Sequence, residues 1–182
     1  MGPVERMVSR HPRRRTEREK MTVIAFDGQA MAADRQGELF CTKIFRTKIR
    51  RIGSLLVGCA GEARASEAVC QWLVSGADSA RFPNIAEADK ANVLVAGPDG
   101  LFLYENSPVP MRLENKFFAL GSGGDAAMAT MALGFDARRA VEIACEVCTG
   151  CGGGIDTLRV LHTVELVPAN VGVHRQEPAL PT

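Results

Sequence analysis

Apolar and polar positions along the chain fall into short blocks from residue 21 onward. Val23, Ile24, Ala25 and Phe26 form one apolar run, Asp27-Gly28 is a turn signal, and Gln29 to Ala33 returns as a second apolar run, a pattern that predicts a hairpin. Asp34 stands at the end of its second strand. Between Lys43 and Arg51 basic and apolar residues mix, and Ser54 to Ala60 is uninterrupted enough for a buried strand. From Glu62 to Gly76 the period changes: Ala65, Val69, Trp72 and Leu73 share one side, which predicts an amphipathic helix closed by Gly76, with Trp72 as a core residue.

Residues 77–90 are polar and broken by Pro83, so no long second helix is expected there. Asn92 to Ala96 and Leu101 to Tyr104, joined by Gly-Pro-Asp-Gly, are the clearest hairpin. After a Pro-bounded loop at Ser107 to Pro110, Lys116 to Leu120 reads as a strand running into Gly121-Ser122-Gly123-Gly124. That turn opens a helix over 125–133, with Asp125 placed to complement its N-terminus. Asp136 caps a further helix over 137–147 with Ala140, Val141, Ala144 and Cys145 on its apolar face, and Ile155 to Leu161 alternates as a closing strand. The Gly-rich turn lacks the Gly-Lys-Ser/Thr ending of a phosphate loop.

Composition adds bounds. With 182 residues, 46% hydrophobic and 24% charged at a net charge of +1, the chain fits a single soluble domain. No apolar run reaches the roughly 20 residues of a membrane span, and a secretory core is lacking, so the protein is expected in the cytoplasm, without membrane association. Charge is uneven: residues 1–20 hold Arg6, Arg10, Arg13, Arg14, Arg15, Arg18 and Lys20 against Glu5, Glu17 and Glu19. The arm has no aromatic residue for base stacking, which argues against nucleic acid as a partner. Residues 1–21 are therefore read as a disordered or non-native extension, 22–167 as the folded domain and 168–182 as a tail.

Six cysteines without a signal segment predict reduced thiols. Cys59 and Cys70, inside apolar runs, read as small core residues. Cys145, Cys148 and Cys151 recur every third residue, a spacing compatible with packing, with a redox pair or with part of a zinc site, although a closed zinc site lacks further ligands. His162 and His174 stand apart from any second acid or base and are not assigned a catalytic role.

Three residues suggest chemistry. The Thr22 hydroxyl, the Asp34 carboxylate and the Lys48 ammonium are the parts of a nucleophile that uses its own α-amino group as base. Such a mechanism needs Thr22 as residue one, because an amide nitrogen has almost no basicity. The pair before it, Lys20-Met21, offers Met21 as an initiator removable ahead of a small Thr.

The ordered blocks T-V-I-A-F-D-G-Q-A-M-A-A-D-R, K-I-R-R-I, G-C-A-G-E-A and A-L-G-S-G-G-D-A-A-M-A, spread over residues 22–161, resemble the proteasome β-subunit and HslV-like family of N-terminal-nucleophile threonine peptidases. The resemblance implies an α+β fold of four-layer αββα sandwich type, with one helical layer reduced because 77–90 is short. It implies Thr22 as nucleophile, Asp34 and Lys48 as its acidic and basic partners, the Gly61 backbone N–H as oxyanion donor and Ser122 as partner of the threonine amine. Peptide or unfolded protein is then the substrate, no cofactor or metal is needed, and the chain assembles into a homo-oligomeric ring served by an ATP-dependent unfoldase. At one place the chain departs from the pattern: Cys148 and Cys151 stand where an Asp and a Ser are frequent. A non-catalytic ring subunit and a small-molecule amidohydrolase on the same fold are the alternative functions.

Overall fold

The structure, a computed structural model, describes residues 22–86 and 89–161. The readings of 1–21 as an extension, of 168–182 as a tail and of His162 and His174 as non-catalytic lie outside these residues. The apolar runs at the start become β1 (Ile24–Phe26) and β2 (Ala30–Asp34), buried at every position. Their turn is set by Asp27, whose Oδ1 accepts the Gln29 and Ala30 N–H groups at 2.8 and 2.7 Å. Next come β3 (Gln36–Leu39), β4 (Thr42–Phe45), β5 (Ile49–Ile52) and β6 (Leu55–Gly61). The helix α1 (Ala63–Val74) starts at Glu62, whose carboxylate accepts the Arg64 and Ala65 N–H groups.

β7 (Ala91–Gly97) and β8 (Gly100–Tyr104) form the expected hairpin, followed by β9 (Met111–Leu113) and β10 (Phe118–Leu120). The helices α2 (Gly124–Ala132) and α3 (Ala137–Val147) and the strand β11 (Ile155–Arg159) complete the described chain. At the start of α3, Asp136 accepts the Arg139 N–H and Asp27 Oδ2 accepts the Ala137 N–H, both at 2.8 Å.

Among the described residues all strand pairing is antiparallel, in a four-stranded sheet ordered β10-β1-β2-β11, a five-stranded sheet ordered β5-β6-β7-β8-β9 and the separate β3-β4 hairpin. Alternation along the strands divides the apolar residues between three cores. Ile24, Phe26, Met31 and Ala33 of the four-stranded sheet meet Ile49, Leu56, Ala60, Leu94, Ala96 and Leu101 of the five-stranded one. The intervening Val23, Ala25 and Ala32 pack on Ala127 and Met131 of α2 and on Ala137, Ala140, Val141 and Ala144 of α3. Val57, Cys59, Val93 and Val95 pack on Ala65, Val69, Cys70 and Trp72 of α1. Strands β1 and β2 are thus covered on both faces, which is why they read as continuous apolar runs. At Gly58 an added Cβ would lie 2.7 Å from Ile24 Cγ2 and 2.9 Å from Met31 Sδ, so glycine there sets the spacing of the two sheets.

Between α1 and β7 the described residues form only a single 3₁₀ turn, Ser79–Arg81. Phe82 then packs edge-on to Trp72 with ring centroids 5.0 Å apart, and Tyr104 of β8 does so at 5.5 Å. Trp72 donates its indole N–H to the Asp78 carbonyl at 2.7 Å. The Phe82 contact and the Asp78 hydrogen bond so anchor the short segment to α1, while Tyr104 ties α1 to β8. The hairpin β3-β4 and the edge strand β9 were not foreseen from the pattern, and the mixed stretch 43–51 divides between β4 and β5.

Candidate active site

Thr22 leads directly into β1 and is buried, 3% exposed. Lys48, one residue before β5, directs its Nζ to Thr22 Oγ1 at 3.0 Å and to Asp34 Oδ1 at 2.7 Å. Both side chains of the Lys48–Asp34 pair are 0% exposed. Asp34 is held as well as buried: Oδ1 accepts the Val23 N–H at 2.9 Å, and Oδ2 accepts the N–H groups of Gln36 at 3.2 Å and Gly152 at 3.1 Å. Four donors therefore meet one buried carboxylate, the arrangement that makes a buried charge tolerable.

Burial lowers the Lys48 pKa below its ordinary value, and the Asp34 carboxylate opposes that shift. The result is a lysine nearer its neutral form than an exposed one, in hydrogen-bond contact with a hydroxyl.

Ser122 lies on the other side of Thr22, its Oγ accepting the Thr22 N–H at 3.2 Å. The surrounding glycines make this approach possible. Gly121 has φ +92°, and a Cβ there would fall 2.1 Å from the Thr22 carbonyl oxygen. Gly123 donates its N–H to the same oxygen at 3.1 Å. The turn 121–124 is thus a backbone cradle for residue 22, a role visible only in main-chain geometry.

Four of the five predicted site residues, Thr22, Asp34, Lys48 and Ser122, are joined by these hydrogen bonds. Gly61 stands apart from that network, at the end of β6 with φ +94° and with the Lys90 carbonyl oxygen only 2.3 Å from where a Cβ would sit. β6 connects it to the site, since the Cys59 N–H donates to the Lys48 carbonyl at 2.9 Å two residues earlier.

The loop carrying Cys148 and Cys151 reaches the site through its backbone. Gly152 N–H binds Asp34, the Gly152 carbonyl accepts the Arg35 and Gln36 N–H groups, and Cys151 is buried in the core beneath α3. Burial, chiefly, pushes the Cys151 thiol up to about 12 and that of Cys145 up to about 11, so both are neutral thiols near pH 7. Among the described residues no group of three or more His, Cys, Asp or Glu side chains is arranged to hold a metal ion. Nor is any described helix long and apolar enough to cross a membrane. Gln36 and Gly152 went unpredicted because they act through main-chain groups that carry no residue-type signal.

No family model matches the chain, and no curated protein matches it. Solved structures do. Thiobacillus denitrificans BPH in complex with epoxomicin is 21% identical, matches 78% of this chain and 100% of its own, and superposes with a TM-score of 0.58. Trypanosoma brucei HslV, a eukaryotic member, is 22% identical over 78% of this chain and 99% of its own, with a TM-score of 0.59. The fold is that of HslV. A second structure of Thiobacillus denitrificans BPH agrees, with 22% identity, coverage of 77% and 98%, and a TM-score of 0.55. At such identities the likeness to HslV establishes the fold, and the chemistry rests on the geometry around Thr22.

Proposed function

We propose that the chain is a threonine-type endopeptidase of proteasome-like design, acting on peptides and unfolded protein. The observation that carries this reading is the buried hydrogen-bonded series Asp34–Lys48–Thr22, with Lys48 Nζ 3.0 Å from the Thr22 hydroxyl. A threonine hydroxyl with no activating partner is a weak nucleophile, and a lysine of lowered pKa in contact with it favours loss of its proton. In the working form the chain begins at Thr22. The freed amine lies beside Ser122 Oγ, takes the hydroxyl proton as Oγ1 attacks the peptide carbonyl, and passes it to the leaving amine. Gly61 N–H is assigned to the developing oxyanion, a type of contact worth on the order of 3 kcal/mol. Water then releases the acyl group from Thr22, with the amine again as base.

The arrangement of three cores supports a four-layer αββα sandwich, α2 and α3 on one side and α1 alone on the other, the thin layer following from the single turn in 77–90. A domain over 22–167, a homo-oligomeric ring enclosing the sites, a cytoplasmic location and service by an ATP-dependent unfoldase complete the reading. The test is hydrolysis of short fluorogenic peptides and of a panel of small amides by purified chain that starts at Thr22. Peptide turnover that Thr22→Ala abolishes is expected. Turnover confined to small amides, or none by a correctly folded chain starting at Thr22, would overturn it.

A further inference from the structure

Cys59 and Cys70 play no part in the chemistry proposed for Thr22, yet their placement is specific. Cys59 lies on β6 and Cys70 on α1, both buried, at 5% and 0% exposure, with their sulfurs 3.3 Å apart. Neither is part of a disulfide here. A disulfide has sulfurs about 2.0 Å apart, so the pair has to close by roughly 1.3 Å. Two buried thiols that served only as packing would do so equally well without a sulfur–sulfur hydrogen bond between a strand and the helix that covers it.

The geometry points to a redox-active dithiol: Cys59 and Cys70 form a reversible disulfide that ties α1 to β6, with a hydroperoxide as the oxidant. In the first step one sulfur attacks a peroxide oxygen, the O–O bond breaks, and a sulfenic acid and water result. The second sulfur then attacks the sulfenic sulfur, the S–O bond breaks, and the hydroxide leaves as water with the second thiol's proton. Two thiols and one hydrogen peroxide thus give one disulfide and two waters. The hydrogen bond between the two sulfurs favours the Cys70 thiolate, against the cost of burial and helped by the Arg50 guanidinium, while Cys59 is held well above the ordinary thiol value by the same bond and by burial. The bridge closes a segment with a sequence separation of 11 that includes Gly61 and the α1 cap Glu62, so oxidation ties down the turn that follows β6.

The full chain is exposed to graded hydrogen peroxide, remaining thiols are blocked, and intact mass, peptide maps and thermal midpoints are recorded. The expected result is loss of two hydrogens, a linked peptide pair containing Cys59 and Cys70, reversal by a thiol reductant, and a midpoint raised by about 5 °C. Cys59→Ala and Cys70→Ala, which keep apolar side chains in place, are expected to lack both the link and the rise. Sulfinic acid on either cysteine in place of the link, or free thiols at both positions once the exposed Cys41 is oxidised, would overturn the proposal. None of these measurements depends on peptidase activity.

Discussion

At the scale of single residues, Lys48 is the most informative position. Replacing it with alanine removes the only side chain in the described network that touches both the Thr22 hydroxyl and the Asp34 carboxylate. Peptide turnover is expected to fall by about a thousandfold or more, as for removal of a member of an activated-nucleophile set. The fold should survive, because Asp34 keeps three backbone N–H donors, and the loss of stability should be about 2 kcal/mol by urea unfolding. Lysine titration gives a second test. Burial holds the folded pKa below the ordinary 10.5, so between the two values the unfolded chain binds more protons and stability rises with pH. Lys48→Met lacks this contribution. The stability of the natural chain relative to that variant is therefore expected to grow as pH climbs toward 10.5, and a gap that shrank or stayed level would contradict the assigned burial.

At the scale of elements, the Gly-rich turn between β10 and α2 does more than change direction. Gly121→Ala puts a methyl 2.1 Å from the Thr22 carbonyl oxygen in a backbone region that L-residues avoid, whereas at Gly53, with φ +58° and nothing within 4 Å, only the backbone penalty applies. Gly53→Ala is expected to cost about 1 kcal/mol and leave turnover intact. Gly121→Ala should cost more than that and lower turnover at least about tenfold through displacement of Thr22, as small misplacements at reacting centres do. Equal effects of the two substitutions on turnover would remove the cradle from the account.

The elements also differ in how plainly the chain announces them. β1, β2, β6, the β7-β8 hairpin, α1 and α3 carry the period and the turn or cap residues of their type, α2 is announced by the Gly-rich turn and Asp125 at its start, and Asp136 caps its helix as expected. The β3-β4 hairpin does not. Its two-residue turn puts Phe40 and Cys41 at φ 48° and 67°, where Asn or Gly is the usual signal, and most of its residues are exposed, so no buried alternation marks it. β9, three residues at a sheet edge, is too short to show a period. In the site, Asp34 and Lys48 could be picked out by residue type, and Ser122 and Gly61 only through resemblance to a family. The main-chain donors at Gly123 and Gly152 were invisible because backbone groups are common to every residue.

At the scale of the whole molecule, the two sheets meet through a core of mostly large apolar side chains, and their spacing is testable at Gly58. Gly58→Val forces side-chain atoms into Ile24 and Met31 and is expected to destabilise the chain by about 3 kcal/mol, read from urea unfolding of the chain starting at Thr22. On the opposite face of the five-stranded sheet the cover is one helix plus Phe82 and Ile85, so Trp72 carries a large share of it. Trp72→Ala should cost about 4 kcal/mol, and a cost below about 1 kcal/mol would show that the thin layer is anchored elsewhere. Trp72 lies in the core on the α1 side of the five-stranded sheet, and none of the Asp34–Lys48–Thr22 hydrogen bonds involves it, so its substitution separates the stability of the sandwich from the chemistry at its edge.

The central claim is that Thr22 supplies both nucleophile and base, and covalent labelling tests it most directly. A peptide epoxyketone offers two electrophilic carbons that a hydroxyl and an amine of the same residue can close upon. Intact-mass analysis followed by peptide mapping of the chain beginning at Thr22 is expected to find one adduct per chain, on Thr22, absent from Thr22→Ala and from chain that still carries Met21. An adduct on any other residue, or peptide hydrolysis by a chain whose Thr22 nitrogen remains an amide, would contradict the account.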